Sequence, residues 1–489
     1  MSGTTRTQPA SETSRIAEIA SRMDRLPPSW HVWRMVILLS LGGVFEFYDL
    51  FFTGYVAPGM VKSGLFSAAS LGPLAALHVI SLAGFGVFVF ATFSGLWVGA
   101  LIVSQIADRM GRRKIFVGAL LWYCICSAIM AFAETGFTLN IWRFIAGIGL
   151  GVELVTIDAY IAELIPKAER GRAFSINQTI TYAVVPVIAF LAWKLVPIAP
   201  MGLDGWRWVV LIGSVGALVV WFLQLGLPES PRWLVKHGRY AEAAAIVTDI
   251  EAAVTAEKGP LPAPVPEPGE AEGLGSLSEA FRAPYLGRTI TLSVFNLAQT
   301  IGFYGFAAWV PTLLIHRGIH VTASLEYAFI IALANPFGPL LGTLFSDKIE
   351  RKWQIVLAAA GMLVFMSIFA MLSAPPALIL VGVLWTLCAN VMSYSFHNYQ
   401  AELFPTRIRA TAVGFVYSWS RFSTIFTGFF IAAILQHFGV PGVFMFVASA
   451  MAVVVLSIAM WGPRTNHRSL EEIALVAPMQ PEAVPVRVR

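Results

Sequence analysis

Long apolar runs separated by short polar segments recur along almost the whole chain. A helix needs about 20 apolar residues to cross a ~30 Å hydrocarbon layer, and runs of this kind occur twelve times. The predicted spans are residues 33–56, 82–106, 115–133, 139–164, 172–196, 208–226, 289–314, 326–346, 354–373, 376–400, 411–435 and 440–461. The limits of span 2 are the least defined, because residues 64–107 are almost continuously apolar and part of that run fits a helix outside the membrane. The pattern predicts an all-α membrane protein with 12 transmembrane helices.

The composition agrees with a chain that faces lipid. Only 12% of its 489 residues are charged and 57% are hydrophobic, whereas soluble proteins carry roughly 25% charged residues. This excludes a soluble multidomain enzyme, a disordered protein and a disulfide-stapled secreted domain. The three cysteines all lie in apolar runs without metal-ligand spacing, which is typical of small buried hydrophobic residues. We expect no metal and no cofactor.

Lysine and arginine are distributed unevenly between the two sides of the predicted membrane. The side that carries both termini has 27 of them and the other side has four. Cytoplasmic loops of membrane proteins carry this excess, so the net charge of +5 does not indicate a nucleic-acid partner. We expect an integral plasma-membrane protein, in a bacterial inner membrane, with both termini cytoplasmic. Residues 1–30 lack an apolar core, so no cleavable signal peptide is predicted.

The two sets of six spans are related by a constant offset of 239 residues. Asp108, Arg109, Arg112 and Arg113 recur as Asp347, Lys348, Arg351 and Lys352, and the run Tyr160, Ala162, Glu163, Leu164, Pro166, Arg170 recurs as Tyr399, Ala401, Glu402, Leu403, Pro405, Arg409. We therefore predict two pseudo-symmetric six-helix bundles. Parallel repeats of this kind place a binding site near the bilayer midplane between the halves, and rocking of one half against the other gives alternating access.

The predicted organisation has five parts. These are a cytoplasmic N-terminal segment (1–32), an N-terminal six-helix bundle (33–231), a cytoplasmic linker (232–285), a C-terminal six-helix bundle (286–462) and a cytoplasmic tail (463–489). Five prolines alternate through residues 260–268 in a Glu/Gly/Ala-rich stretch. Such a composition cannot bury a core, so this part of the linker is predicted to be disordered.

Charged residues at the cytoplasmic ends of both repeats are candidate gates. A carboxylate at the end of one helix and arginines at the start of the next can form an ion network across a short loop, which holds these ends together in one state and releases them in the other. The candidate gating residues are Asp108, Arg109, Arg112, Arg113, Glu163, Arg170, Asp347, Arg351, Glu402 and Arg409. The alternative interpretation is that they only determine the topology.

A few ionisable residues fall inside the predicted spans, where they are costly and mark functional sites. Glu46 and Asp49 lie three residues apart in span 1, on one helix face, and span 4 contains Arg143, Glu153 and Asp158. Paired carboxylates in an apolar cavity favour reversible protonation, and an approaching arginine reverses that effect. Glu46, Asp49 and Arg143 are therefore the candidate proton-coupling residues. The alternative is a fixed ion pair that only pins the helices together.

Five segments resemble signatures of the major facilitator superfamily, specifically its sugar-porter branch. They are DRMGRR at 108–113, RFIAGIGLG at 143–151, YIAELIPKAERGR at 160–172, PESPRWL at 228–234 and YQAELFPTRIR at 399–409. The resemblance covers roughly residues 33–461 and implies the major facilitator fold and secondary transport. In sugar-porter symporters an aspartate on helix 1 and an arginine on helix 4 couple protons, which implies these roles for Asp49 and Arg143.

The same resemblance implies a substrate site but with departures from the sugar-porter pattern. Gln178, Gln299 and Asn335 match amide positions of that site. Tyr304 replaces an asparagine and His397 replaces a tryptophan, which argues against hexose recognition.

Arg421 favours a different substrate. Its setting in GFVYSWSR resembles the organic-ion and nicotinate-type branch, and EFYD in span 1 resembles aromatic-acid/proton symporters. A guanidinium binds a carboxylate with two parallel hydrogen bonds, so Arg421 with His397 indicates a small organic anion. The alternatives are that Arg421 pairs with a neighbouring backbone group or acid, and that His397 only packs.

The sequence therefore predicts a monomeric secondary transporter that carries a small organic acid, aromatic or sugar-derived, together with protons. Its partners are the small-molecule substrate, protons and the lipid bilayer. A sugar or polyol symporter is the first alternative, and an exporter, an antiporter or a non-transporting solute receptor are the others. An enzyme is disfavoured because the chain shows no nucleophile–base pair and no metal motif.

Overall fold

The computed structural model describes residues 12–73, 85–100, 110–264, 276–345 and 349–465. All regular elements within these ranges are helical. Nine of their helices are long and apolar enough to cross a membrane, and a bent pair adds a tenth. The prediction of an all-α membrane protein is confirmed.

Twelve helices are numbered α1 to α12 in chain order. The ten candidate spans count α11 and α12 as one stretch, and α2 is a shorter apolar helix. The first half contains α1 (Trp30–Lys62), α2 (Phe85–Val98), α3 (Arg112–Met130), α4 (Gly136–Leu164), α5 (Arg170–Tyr182 continued by Val184–Leu195) and α6 (Gly205–Gln224). The second half contains α7 (Leu286–Ala307 and Val310–His316), α8 (Val321–Ala332 and Phe337–Phe345), α9 (Arg351–Met371), α10 (Pro375–Glu402), α11 (406–438) and α12 (440–461). The last two are separated by a kink at Gly439, where φ is 66°.

The observed helices begin earlier than the apolar runs predict, usually by about one turn. α1 starts at Trp30 and not at residue 33, because the Ser29 side chain caps it by accepting a hydrogen bond from the Val32 amide at 3.3 Å. A cap and a polar first turn belong to the helix but not to its apolar run. Between α1 and α2 lies a short helix, Ala68–Leu71. The end predicted for span 2 lies outside the described residues.

Helices α2 and α4 approach each other at backbone contact. A Cβ on Gly95 would lie 2.1 Å from the carbonyl oxygen of Phe144, and one on Gly151 would lie 2.0 Å from that of Leu96. Only glycine permits this spacing, which is typical of small-residue packing in membranes. The close approach holds Thr92 of α2 beside α4.

Three helices outside the spans pack together at the end of the molecule where α1 begins. They are the amino-terminal helix Glu12–Asp24 and two linker helices, Pro231–Lys236 and Tyr240–Lys258. We call this end the basic end, because it gathers Arg22, Arg25, Arg112, Arg170 and Arg232. The segment predicted as a linker is therefore helical up to residue 258, and residues 265–275 of its proline-rich part lie outside the described ranges.

Ion pairs fasten the first part of the linker to the first half. Arg22 and Arg25 each contact Glu251 at 2.7 Å. Burial opposes ionisation of Glu251, but hydrogen bonds from both arginines bring its pKa below the ordinary value. Glu257 accepts hydrogen bonds from the amides of Trp30 at 2.8 Å and His31 at 3.2 Å. A linker carboxylate thus caps α1.

The α2–α4 contact gives a stability prediction. Gly95→Val is expected to separate the two helices, because its side chain has no room before the Phe144 backbone, and overpacking costs at least ~1–3 kcal/mol. Thermal unfolding of the detergent-purified chain should begin at a lower temperature. The matched control is Gly118→Val on α3, where a Cβ meets nothing within 4 Å. Equal melting temperatures for the two variants would contradict the close packing.

Candidate functional site

A buried ion pair joins three helices of the first half. Arg143 Nη1 on α4 lies 2.6 Å from Asp49 Oδ1 on α1, and both side chains are 0% exposed. Arg143 Nε donates to Thr92 Oγ1 on α2 at 2.7 Å. Its Nη2 donates to Thr53 Oγ1 at 2.9 Å and to the Asp49 carbonyl at 3.2 Å. The arginine therefore holds α1, α2 and α4 together.

Aromatic rings seal this pair from water. The guanidinium carbon of Arg143 lies 4.8 Å from the ring centre of Phe52 and 5.0 Å from that of Phe88. In a low-dielectric interior an unpaired charge is very costly, so each partner requires the other to remain ionised. A change of charge on Asp49 must therefore change what holds α1 to α4.

Glu46 lies on the same face of α1, one turn nearer the basic end, but it makes no such pair. It is 3% exposed, and its Oε1 has no hydrogen-bond partner in the described part of the chain. Its electrostatic neighbours are Arg421 of the second half and Asp158 of α4. The carboxylates predicted as a pair therefore have separate environments.

Arg421 on α11 lies in a cradle of tyrosines. Its Nη2 donates to Tyr417 Oη at 2.8 Å and its Nη1 to Tyr304 Oη at 3.5 Å. Its side chain is 5% exposed, and Nε finds no partner among the described residues. The imidazole of His397 stacks on Phe396 and lies 5.6 Å from the Tyr417 ring. Arg421, Tyr304, Tyr417 and His397 form what we call the Arg421 cluster.

A small pocket lies mainly within the second half, and its wall residue Phe303 contacts Tyr304 of the cluster, with ring centres 5.2 Å apart. Asn390 Nδ2 donates to Asn335 Oδ1 at 3.1 Å. Asn390 Oδ1 and Trp385 Nε1 are buried and lack partners within the described ranges. The other walls are aromatic and come from both halves, namely Phe51, Tyr55, Phe303 and Phe306. We call this cavity the asparagine pocket.

The 239-residue repeat reappears as repeated contacts at the basic end. Arg112 pairs with Glu163 at 3.2 Å, and Arg351 pairs with Glu402. Arg170 Nε donates to the Ile165 carbonyl and Arg409 Nε to the Phe404 carbonyl, both at 3.2 Å. Each pair of contacts is related by the same offset, so both halves use one local geometry. Arg113 donates through its side chain to the Leu225 carbonyl.

Two close contacts between the halves lie toward the end opposite the basic end. Phe51 packs edge-on against Phe303, with ring centres 6.2 Å apart, and a Cβ on Gly54 would lie 2.4 Å from the Ala308 carbonyl oxygen. Asp158 of α4, toward the basic end, is exposed although it lies within an apolar helix. The described residues therefore do not enclose the Asp158 carboxyl group.

A sequence model of the family described as "Sugar (and other) transporter" matches residues 35–477. The chain belongs to this family. Its members are transporters, and the chain is an integral membrane transporter of the major facilitator fold rather than an enzyme.

Relatives include proteins named for different cargoes. YyaJ of Bacillus subtilis, named as a metabolite transport protein, is 31% identical over 94% of this chain and 98% of its own length. An arabinose-proton symporter of Bacillus subtilis is 29% identical over 91% of this chain and 95% of its own length. The niacin transporter NiaP of Acinetobacter baylyi is 25% identical over 94% of this chain and 100% of its own length.

Solved structures share the fold at lower identity. The xylose transporter XylE from E. coli, in a partially occluded inward open conformation, matches with a TM-score of 0.71 at 20% identity. The match covers 90% of this chain and 100% of XylE. This likeness establishes the fold alone.

The structure brings the predicted site residues into three places. Asp49 and Arg143 form the buried pair, Arg421 and His397 lie in the Arg421 cluster, and Asn335 lines the asparagine pocket. Gln178 on α5 is half-buried and Gln299 on α7 is buried, but neither lines this pocket. Of the predicted gating residues, Asp108, Arg109 and Asp347 lie outside the described ranges.

Several polar residues were missed because their types are common in helices. Thr53 and Thr92 are ordinary helix residues, and each hydroxyl also donates to the backbone carbonyl four residues earlier in its helix. Nothing in the sequence distinguishes them from other helical threonines. Asn390 and Trp385 were missed because no spacing or motif in the sequence distinguishes them from the other residues of α10. Tyr417 could have been found, because it stands four residues before Arg421 and therefore faces the same way.

The buried pair gives a double-mutant prediction. Arg143→Met leaves Asp49 buried without a cation and should lower the free energy of unfolding by ~3–5 kcal/mol. Adding Asp49→Asn removes the unpaired charge and should restore part of that loss in thermal or denaturant unfolding. Thr53→Val, which removes one hydrogen bond to the guanidinium, should cost only ~1.5–3 kcal/mol. If the double variant is no more stable than Arg143→Met, Asp49 is not an uncompensated charge there.

Proposed function

We propose that the chain is a symporter that imports a small organic acid together with protons by alternating access between its two halves. The buried pair between Asp49 and Arg143 is the single observation that carries the coupling. Both termini lie in the cytoplasm of a bacterial cell in this proposal, because the basic end bears the arginine excess expected on the cytoplasmic side.

The coupling follows from what the ion pair connects. Protonation of Asp49 removes its charge, and Arg143 then keeps only its bonds to Thr92, Thr53 and the Asp49 carbonyl. The link between α1 and α4 is weakened by the same step. Because α1 also carries Phe51 and Gly54, which contact α7, proton occupancy changes the contacts that hold the halves together.

The substrate class follows from the Arg421 cluster. Nε of Arg421 has no partner among the described residues and its Nη groups bind hydroxyls, which leaves donors in the fork geometry that a carboxylate accepts. Glu46 and Asp158 face it as counter-charges. A substrate carboxylate at Arg421 is repelled by an ionised Glu46, so anion binding is favoured when Glu46 carries a proton. Proton uptake and anion uptake are therefore coupled through the interaction between Glu46 and Arg421.

The described conformation fits an inward-facing state of such a carrier. Phe51 and Gly54 contact the second half toward the end opposite the basic end, and Asp158 near the basic end is exposed. In this proposal Arg421 binds the carboxylate of the acid, and its ring or carbon skeleton extends toward Phe303, which contacts Tyr304 at the edge of the asparagine pocket. The niacin transporter NiaP, a relative at 25% identity, is named for a compound of this size.

A sugar or polyol is the second candidate substrate, and the asparagine pocket favours it. Asn335 and Asn390 provide amide donors and acceptors, and Trp385 provides an aromatic wall whose Nε1 donor has no partner in the described part of the chain. Such groups recognise hydroxyls as well as they recognise a heteroaromatic ring. An arabinose-proton symporter is among the relatives.

Proton coupling is tested with Asp49→Asn in proteoliposomes. The variant cannot exchange a proton at this position, so an imposed pH gradient should no longer accumulate nicotinate, benzoate or arabinose. Exchange of internal for external substrate, which needs no net proton transfer, should persist. The matched control is Asp204→Asn, which removes a carboxylate that binds Ser63 away from the buried pair. Accumulation by Asp49→Asn at the level of the unaltered chain would refute the coupling.

Substrate class is tested at Arg421. Arg421→Gln removes charge-assisted hydrogen bonds worth ~1.5–3 kcal/mol, so nicotinate binding should weaken about tenfold or more. Arg421→Lys keeps the charge without the planar fork and should recover only part of the affinity. Arg239→Gln, which breaks an exposed pair with Glu242, is the control. Uptake of arabinose or a hexose that survives Arg421→Ala, without nicotinate binding, would favour the sugar alternative.

A further inference from the structure

Glu153 is a second fully buried carboxyl group in the first half, and neither the ion pair nor the Arg421 cluster uses it. Its side chain is 0% exposed, and both carboxyl oxygens lack a hydrogen-bond partner in the described part of the protein. It lies ten residues after Arg143 on α4, which is ~15 Å along the helix axis toward the basic end. Arg143, on the same helix, forms its ion pair with Asp49 and not with Glu153.

The position of Glu153 on α4 separates it from the open space between the halves. Asp158 follows five residues later, which turns it by ~140° around the helix, and Asp158 is exposed while Glu153 is enclosed. Glu153 thus faces the interior of the first half. A carboxylate that served only solubility or topology would lie on the exposed side of α4 and not in the interior of the first half.

Gly42 on α1 makes the space that Glu153 fills. A Cβ at Gly42 would lie 2.9 Å from Glu153 Oε1 and 2.8 Å from Gln224 Nε2. Gln224 on α6 is 0% exposed, its Nε2 donates to the Leu38 carbonyl at 3.1 Å, and its Oε1 has no described donor. The neutral amide of Gln224 therefore adjoins the carboxyl group at Gly42 without a hydrogen bond to it in the described structure. It brings no positive charge that would balance an ionised Glu153.

Among the described residues, the groups around Glu153 include no cation to balance it. Its electrostatic neighbours are Glu46 and Asp49 on α1, both of the same sign. Phe116 of α3 and Gln224 of α6 lie with it around Gly42, and both are neutral. On α2, the apolar Leu96 lies against Gly151, two residues before Glu153. An ionised Glu153 is uncompensated, so the enclosed position favours the neutral acid.

The carboxyl groups form a row between α1 and α4. Gly42, Glu46 and Asp49 follow each other at spacings of four and three residues, which places them on one stripe of α1, and Glu153 lies against Gly42 at the inner end of that stripe. The row covers ~10 Å along the axis of α1. It leads from the ion pair toward the basic end.

We propose that Glu153 is the inner proton-binding site of this transporter. When the Asp49–Arg143 pair forms, the Asp49 carboxyl loses its proton and becomes a carboxylate, and the Glu153 carboxylate takes up that proton by way of Glu46. Glu153 then releases the proton to the cytoplasm as the row is hydrated from the basic end. In the described structure the pair is formed and Glu153 is enclosed without a described cation, so this is the state in which Glu153 holds the proton. The inference rests on the proposed coupling at Asp49.

The infrared test needs no transported substrate and uses the full chain reconstituted in lipid. At neutral pH the spectrum should contain the carbonyl stretch of a protonated buried carboxyl group, which loses intensity as the pH is raised. Glu153→Gln should remove that band and Glu153→Asp should move it. Glu134→Gln, which changes an exposed carboxylate at the opposite end, should leave it in place. A band unchanged in both Glu153 variants would overturn the proposal.

Transport separates this proposal from the coupling at Asp49. Glu153→Gln should lower the gradient-driven accumulation of nicotinate, or of arabinose if the chain accumulates that instead, by about tenfold. Exchange of the same compound should remain, which also shows that the variant folds, and Glu153→Asp should restore part of the accumulation. Accumulation lost in Asp49→Asn but complete in Glu153→Gln would overturn the role of Glu153 and leave the coupling intact. Accumulation retained in Asp49→Asn would overturn the coupling itself.

Discussion

The high cost of a charge in an apolar medium is the constraint on which this structure depends. The first half can contain Arg143 only because Asp49 neutralises it and Thr92 and Thr53 satisfy its remaining donors. Three helices must therefore meet at one point, and the glycines between α2 and α4 allow them to do so. In the proposed mechanism packing and function share this requirement, since the ion pair that stabilises the fold is also the one that protonation of Asp49 alters.

The second half contains a cation with a different status. Arg421 is bound by tyrosine hydroxyls and faces carboxylates across the space between the halves, without an ion pair of the kind that Arg143 makes in the described structure. All three nitrogens of the Arg143 guanidinium have described partners, whereas Nε of Arg421 has none among the described residues. On this difference we base the proposal that Arg143 pairs with the coupling carboxylate and that Arg421 binds the substrate carboxylate.

Much of this could be predicted because charges and apolar runs leave strong signals. Asp49, Arg143 and Arg421 are few and stand out in apolar spans, and the 239-residue repeat anticipated equivalent contacts such as Arg112–Glu163 and Arg351–Glu402. The asparagine pocket was only partly predictable, because its shape depends on how α8 packs on α10, which places Asn390 and Trp385 beside Asn335. The helix starts were predicted too late because the predictions followed apolar runs. The first turn of a helix and its cap, such as Ser29 before α1, are often polar and lie outside those runs.

The capping of α1 by Glu257 has a consequence for how the halves are connected. Since Arg25 also donates to the carbonyl of Pro262 at 2.8 Å, the connecting chain is fastened to the first half as far as that proline. The described part of the connecting chain is thus anchored at the amino-terminal helix and at the first turn of α1. Its point of attachment is the start of the helix that carries Asp49.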